Sequence, residues 1–229
     1  VPSGGKVSAL PEPYRAAIYY APERDDPLWQ AGCTWLGFDP ETATELAQPN
    51  ISDIAKMTSS PRRYGFHATL KPPMRLAHGY KNFMRDAEHL AARLQRFTMP
   101  ALAVKNLAGF LAICTEQPAT ELDRLAKTCV LELDTHRLPE DVARQDARAV
   151  GRTARQIQNI ADFGYPYVLA DWQFHMTLSN QGAEILLPAA QQYFAAVLQM
   201  PRVAASLAIF IEPQAGARFE LAARLPLGG

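Results

Sequence analysis

The chain has 229 residues, 23 Lys and Arg against 23 Asp and Glu, and 48% hydrophobic content. These are ordinary globular values with ample chain for a core. The zero net charge argues against duplex nucleic acid or an anionic membrane surface as partner, and no run of 18 apolar residues marks a membrane span.

Cys33, Cys114 and Cys129 are odd in number and lack metal-type spacing; buried free thiols in a reducing, cytoplasmic setting are the expectation. Residues Val1 to Lys6 carry no apolar signal core and are expected to be partly disordered. In chain order, Tyr14 to Tyr20 is a β-rich run ended by Pro22. Asp26 and Pro27 then open a helix through Leu36 as N-cap and first helical residue. Short helices are expected over Pro40 to Ala47 and Ile51 to Thr58, then a strand from Tyr64 to Lys71 closed by Pro72-Pro73. From Lys81 to Phe97, the apolar residues Phe83, Met84, Ala87, Leu90, Ala91 and Leu94 recur at helical spacing. Ala101–Val104 and Gly109–Cys114 read as paired strands, and Pro118 to Leu133 as an amphipathic helix through Leu122, Leu125, Ala126 and Val130.

The segment Thr135 to Gly164 is polar and carries Arg137, Arg144, Arg148, Arg152 and Arg155. Partial helix is expected from about Glu140 to Phe163. It reads either as a solvated helical surface or as a lid whose guanidiniums clasp a phosphate, and the sequence singles out no one arginine. A strand from Trp172 to Leu178, a helix from Pro188 to Gln199, and strands Val203–Ile211 and Arg218–Leu225 about a Pro213–Gly216 turn complete the chain. Short, hairpin-like strands between helices favour an α+β arrangement with mixed or antiparallel sheets. No Gly-rich dinucleotide or Walker-type loop appears.

One motif occurs twice: Phe66-His67-Ala68-Thr69-Leu70 and Phe174-His175-Met176-Thr177-Leu178. In an extended strand, side chains alternate. His67 and Thr69 therefore share a front face, as do His175 and Thr177, while Phe, Ala or Met, and Leu form an apolar back. The histidines are 108 residues apart in a chain of 229, as an internal duplication would place them. Two such fronts facing one another would surround one small anion with two imidazoles and two hydroxyls.

The string Arg62-Arg63-Tyr64-Gly65-Phe66-His67-Ala68-Thr69-Leu70-Lys71-Pro72-Pro73, with Gly164-Tyr165-Pro166-Tyr167-Val168 ahead of the second motif, resembles the two-histidine (2H) phosphoesterase superfamily. That superfamily includes the LigT-like RNA ligases and cyclic phosphodiesterases. The closer likeness is to its branch labelled as phosphonate metabolism proteins, often encoded beside carbon–phosphorus lyase components. The resemblance covers most of the chain. It implies one bilobal domain over residues 1–229, with two pseudo-symmetric, duplicated α/β lobes around a central cleft, and a chemistry without metal.

The residues themselves fit that chemistry. In-line displacement at a phosphodiester needs one proton removed and one delivered, and two imidazoles do both near neutral pH. His67 and His175 are the catalytic candidates, with acid and base unassigned. Thr69 and Thr177 would donate to the non-bridging oxygens. By alternation Lys71 shares the face of Thr69, as an added cation or equally as a strand-end lysine in solvent. Tyr64 lies off that face, in packing or at the rim; Tyr14 and Tyr20 are weaker candidates. His78, His89 and His136 read as surface residues. Asp162 and Asp171 do not complete a metal-ligand pattern, so neither metal nor cofactor is expected, with a zinc hydrolase built on the two histidines a minor alternative. The expected partner is a small phosphorylated substrate, with no membrane and no long nucleic acid. The alternatives are a non-catalytic phosphate sensor or a phosphodiesterase acting on a short RNA end bearing a 2′,3′-cyclic phosphate.

Overall fold

The computed structural model describes residues 12–229, so the expectation for Val1 to Lys6 falls outside the described residues. The elements are β1 Arg15–Tyr20, α1 Pro27–Leu36, β2 Phe38–Asp39, β3 Thr44–Glu45, α2 Ile54–Met57, α3 Ser59–Tyr64, β4 Ala68–Met74, α4 Tyr80–Arg93, β5 Phe97–Thr98, β6 Leu102–Leu107, β7 Phe110–Thr115, α5 Thr120–Leu133, α6 Val142–Ala149, α7 Ala154–Phe163, β8 His175–Thr177, α8 Leu187–Leu198, β9 Val203–Ala204, β10 Ser206–Glu212 and β11 Glu220–Pro226.

Seven of these strands form one antiparallel sheet in the order β11-β10-β1-β4-β8-β7-β6, which makes the protein an α+β fold. The two motif strands are neighbours at its centre. They meet through a single residue pair, Ala68 with Met176, so the sheet divides at this seam into a four-stranded and a three-stranded part. The four-stranded part is not contiguous in sequence, because β10 and β11 return from the end of the chain to flank β1. The His/Thr fronts consequently lie side by side on adjacent strands rather than facing each other across a gap.

Local chemistry explains most of the elements. Asp26 caps α1 by accepting from the Leu28 amide at 2.9 Å with Pro27 behind it, and Gly37 closes the helix in the left-handed region at φ 78°. α4 buries Tyr80, Phe83, Ala87, Leu90 and Ala91, and α5 buries Leu122, Leu125, Ala126, Cys129, Val130 and Leu133. With α1 and α8 they complete one continuous core. The apolar backs of the motifs sit in it, Phe66, Ala68, Leu70, Phe174, Met176 and Leu178 all being buried. α1 approaches so closely at Gly32 that a Cβ there would lie 2.2 Å from the Phe66 ring.

Two expectations are corrected and a third is sharpened. Pro40 to Ala47 is not helical: the Asp39 carboxylate accepts from the Glu41 amide at 2.8 Å, making a turn, and the chain returns through Ala43 at φ 53° as the β2–β3 ribbon. β4 does not stop at Pro72-Pro73 but continues to Met74. Prolines are tolerated there because β8 pairs with β4 only at Ala68 and because β4 carries two register shifts against β1. The partial helix expected from Glu140 to Phe163 is present as two helices: Gly151 at φ 72° follows the end of α6, and a Thr153–Gln156 capping box starts α7.

Candidate active site

The two histidines are held by the same local device. The Nδ1 of His67 lies 2.9 Å from the Gly65 carbonyl and that of His175 lies 2.8 Å from the Gln173 carbonyl. A carbonyl can only accept, so each neutral ring carries its proton on Nδ1 and leaves the Nε2 lone pair free. Gly65 lies at φ 76°, a backbone state that suits glycine. Both histidines line a cleft of about 660 Å³ together with Thr69 and Thr177. Thr69 Oγ1 lies 3.3 Å from His67 Nε2.

Their surroundings differ. His67 stacks on Tyr19 with ring centroids 3.7 Å apart and planes 15° apart, and Phe210 flanks it at 5.8 Å. His175 meets Phe110 edge-on at 5.9 Å. Burial pushes the His67 imidazole down to about 4, against the pull of the Gly65 carbonyl and with some help from His175. Burial also lowers His175 from its ordinary value, against its bond to Gln173.

Lys71 lines the cleft with Thr69, as alternation predicts, but it is neither a free cation nor a lysine in solvent. Its ammonium, on a side chain only 1% exposed, donates to Asp134 at 2.7 Å and to the Val130 carbonyl at 3.4 Å. Burial lowers Lys71 and Asp134 opposes that shift. Burial raises the Asp134 carboxyl, but hydrogen bonds from Arg137 and Lys71 outweigh it and hold it below the usual carboxylate range. Lys71 is thus a cation locked beneath the cleft. Tyr64 lines the cleft from the end of α3, its ring 5.2 Å from Phe219.

Of the five arginines in the 135–164 segment, Arg137, Arg144 and Arg148 line the cleft. Arg152 instead bonds the Tyr167 hydroxyl and Arg155 grips Asp171 through both carboxylate oxygens. His78 and His89 are exposed as expected, but His136 is buried, its Nε2 held 2.9 Å from Asp86 and its ring edge-on to Phe83. Sequence reasoning missed Tyr19, Arg15, Arg75 and the Ser179–Gln181 rim. Tyr19 could have been found, since it alternates with the core residues Ile18 and Tyr20 and so faces the other side of β1. Tyr14 lines the cleft, whereas Tyr20 is core, packed 5.7 Å from Phe174.

The fold and site together define a class: an antiparallel α+β protein with paired His-x-Thr fronts on adjacent central strands above a polar cleft. The chain belongs to the family described as "Protein of unknown function (DUF1045)", whose model matches residues 69–220. Among curated proteins it is 34% identical over 253 residues to the ribose 1,5-bisphosphate phosphokinase PhnN of Janthinobacterium sp. (strain Marseille), covering 100% of this chain and 55% of that protein. It is 33% identical over 215 residues to the protein of that name from Laribacter hongkongensis (strain HLHK9), covering 90% of this chain and 50% of that protein. The chain therefore spans about half the length of the curated relatives it matches. Solved structures similar to it include a phosphoesterase at 13% identity and TM-score 0.45, covering 95% of this chain and 100% of that one. E. coli LigT complexed with NADP+ is similar at 14% identity and TM-score 0.46, with coverage of 95% and 99%.

Proposed function

We propose that the chain is a phosphoesterase that opens a small phosphodiester by general acid–base catalysis with His67 and His175. The observation that carries this reading is the matched pair of imidazoles, each fixed through Nδ1 by the carbonyl two residues earlier and lining one cleft with Thr69 and Thr177. A mere binding site needs hydrogen-bond donors; two nitrogens oriented to exchange protons suit a reaction that moves two of them.

His67, the more deeply stacked and the harder to protonate, is the base: its Nε2 takes a proton from the attacking water as the water oxygen bonds to phosphorus. His175 is the acid: its Nε2–H donates to the ester oxygen as the P–O bond breaks, leaving a phosphomonoester and an alcohol. Thr69 and Thr177 donate to the non-bridging oxygens, where charge accumulates. No cluster of three His, Cys, Asp or Glu side chains suited to a metal occurs among the described residues, and the histidines supply the proton transfers directly.

A sugar phosphate is the substrate class we favour, because the curated relatives are named for a ribose bisphosphate. A cyclic ribose phosphodiester opened by water would yield the kind of monoester on which such a kinase acts. We assign the kinase activity in that name to the portion of those proteins that this chain does not span, since the chain contains no Walker-type phosphate loop. The test is turnover of a panel of cyclic and linear phosphodiesters in excess EDTA, wild type beside the His67→Ala/His175→Ala variant. Activity that survives EDTA and disappears in the variant supports the reading. Activity lost to EDTA and restored by zinc would make the histidines metal ligands instead.

A further inference from the structure

Most cations around the cleft already have a carboxylate. Glu212 accepts from Arg15 at 2.5 Å and Arg63 at 2.7 Å. Asp134 holds Lys71 at 2.7 Å and Arg137 at 2.8 Å, and Glu140 holds Arg148 at 3.0 Å. Two guanidiniums lining the cleft differ. Arg75 is exposed, and its guanidinium has neither ion pair nor hydrogen bond among the described residues, resting 5.6 Å from the Tyr14 ring. Arg144 lies 3.4 Å from Asp141, with both side chains 63% exposed, a pairing that solvent reduces to little. The Asp141 carboxylate is in addition engaged as the α6 N-cap, accepting from the Arg144 amide at 2.9 Å.

The fold brings these two arginines to one cleft from elements that are tied together. Leu76 and Arg137 form an antiparallel bridge, and the Leu138 amide donates to the Arg75 carbonyl at 2.8 Å. The segment leading into α6 is thereby tied to the end of β4, so that Arg75 and Arg144 line one cavity from two elements. The cleft volume of about 660 Å³ far exceeds what one phosphodiester group at the His/Thr fronts occupies.

We infer that Arg75 and Arg144 form a second anion subsite, one that takes a terminal phosphoryl group of the substrate distinct from the diester held by the histidines. Resting on the phosphoester reading, this defines the substrate as carrying two phosphoryl groups, a diester at the His/Thr fronts and a monoester at the two arginines. Two planar donor forks from separate elements suit a tetrahedral dianion with three free oxygens, whereas a carboxylate is satisfied by one fork.

The test is calorimetric titration with D-ribose 5-phosphate, and with D-ribose as control, at low salt. Using the His67→Ala/His175→Ala protein removes the imidazoles from the competing diester site. Ribose 5-phosphate is expected to bind this protein and ribose is not. Adding Arg75→Gln and Arg144→Gln is expected to weaken binding at least ~10-fold, the scale of losing charge-assisted hydrogen bonds. Both arginines are exposed, so the melting temperature should not move. Absence of ribose 5-phosphate binding, or a Kd within twofold after the arginine changes, would overturn the inference. Failure of the phosphoesterase reading would show elsewhere, as a diester panel that is not turned over while this titration still responds to the arginines.

Discussion

The two half-sites share a motif and a clamp but not an environment. Each histidine is oriented by the carbonyl two residues back, and each motif buries its leucine, Leu70 or Leu178. On one side, however, His67 precedes a seven-residue strand and lies face to face with Tyr19. On the other, His175 opens a three-residue strand and meets only the edge of Phe110. The position two beyond the threonine is a locked ammonium at Lys71, but a hydroxyl at Ser179 that accepts from the Leu111 amide at 2.8 Å. Identical local sequence fixes tautomer and direction; the packing contributed by distant strands sets how readily each ring holds a proton. A duplicated motif can in this way be divided into a base and an acid.

The strongest way to break the comparison is to remove one half. His67→Ala and His175→Ala should each lower kcat/KM by about 10²–10⁴-fold. The double variant should fall little further, because the two groups act as a unit. Strict additivity in a steady-state double-mutant cycle would mean the histidines work independently. Next in size, Thr69→Val and Thr177→Val should each lower kcat by about 10²-fold with the melting temperature unchanged. A loss confined to KM would reduce the hydroxyls to binding groups.

The difference between the halves can also be sharpened. Tyr19→Ala removes the ring that covers His67 and lets water reach it. The acidic limb of the kcat/KM profile should then move up from about 4 toward ~6.5, while Phe110→Ala leaves that limb in place. Stability gives a further contrast. Asp134→Ala strands the buried Lys71 ammonium and should cost about 3 kcal/mol in urea unfolding. Lys71→Met combined with Asp134→Leu should cost less than Asp134→Ala alone, because no unpaired charge remains.

What the sequence discloses here follows the range of the forces involved. The two motifs are legible because strand alternation is local: four front residues and six back residues can be placed from a two-residue period alone. The α1 boundaries are legible for the same reason, through Asp26, Pro27 and Gly37. Lys71 lines the cleft where the period places it, but the carboxylate that engages its ammonium, Asp134, lies 63 positions away. His136 looks like a surface residue until Asp86, 50 positions away, arrives to hold it. Tyr19 comes to the site by pairing with Thr69 across the β1–β4 ladder, and the end of β4 at Arg75 is tied to the segment leading into α6 through the Leu76–Arg137 bridge. These juxtapositions are made by long-range pairing and leave no mark in a window of neighbouring residues.

The most direct test of the division between His67 and His175 is the pH dependence of kcat/KM on a diester that the enzyme turns over. His67 must be neutral to accept a proton, so the rate should rise with pH through about 4. His175 must be charged to donate one, and its burial places its loss of that proton below the usual ~6.5. The account predicts a bell-shaped profile with its maximum on the acid side of pH ~6.5, whose acidic limb moves in Tyr19→Ala. A rate that is flat across this range, or that keeps rising toward pH 8, would contradict it.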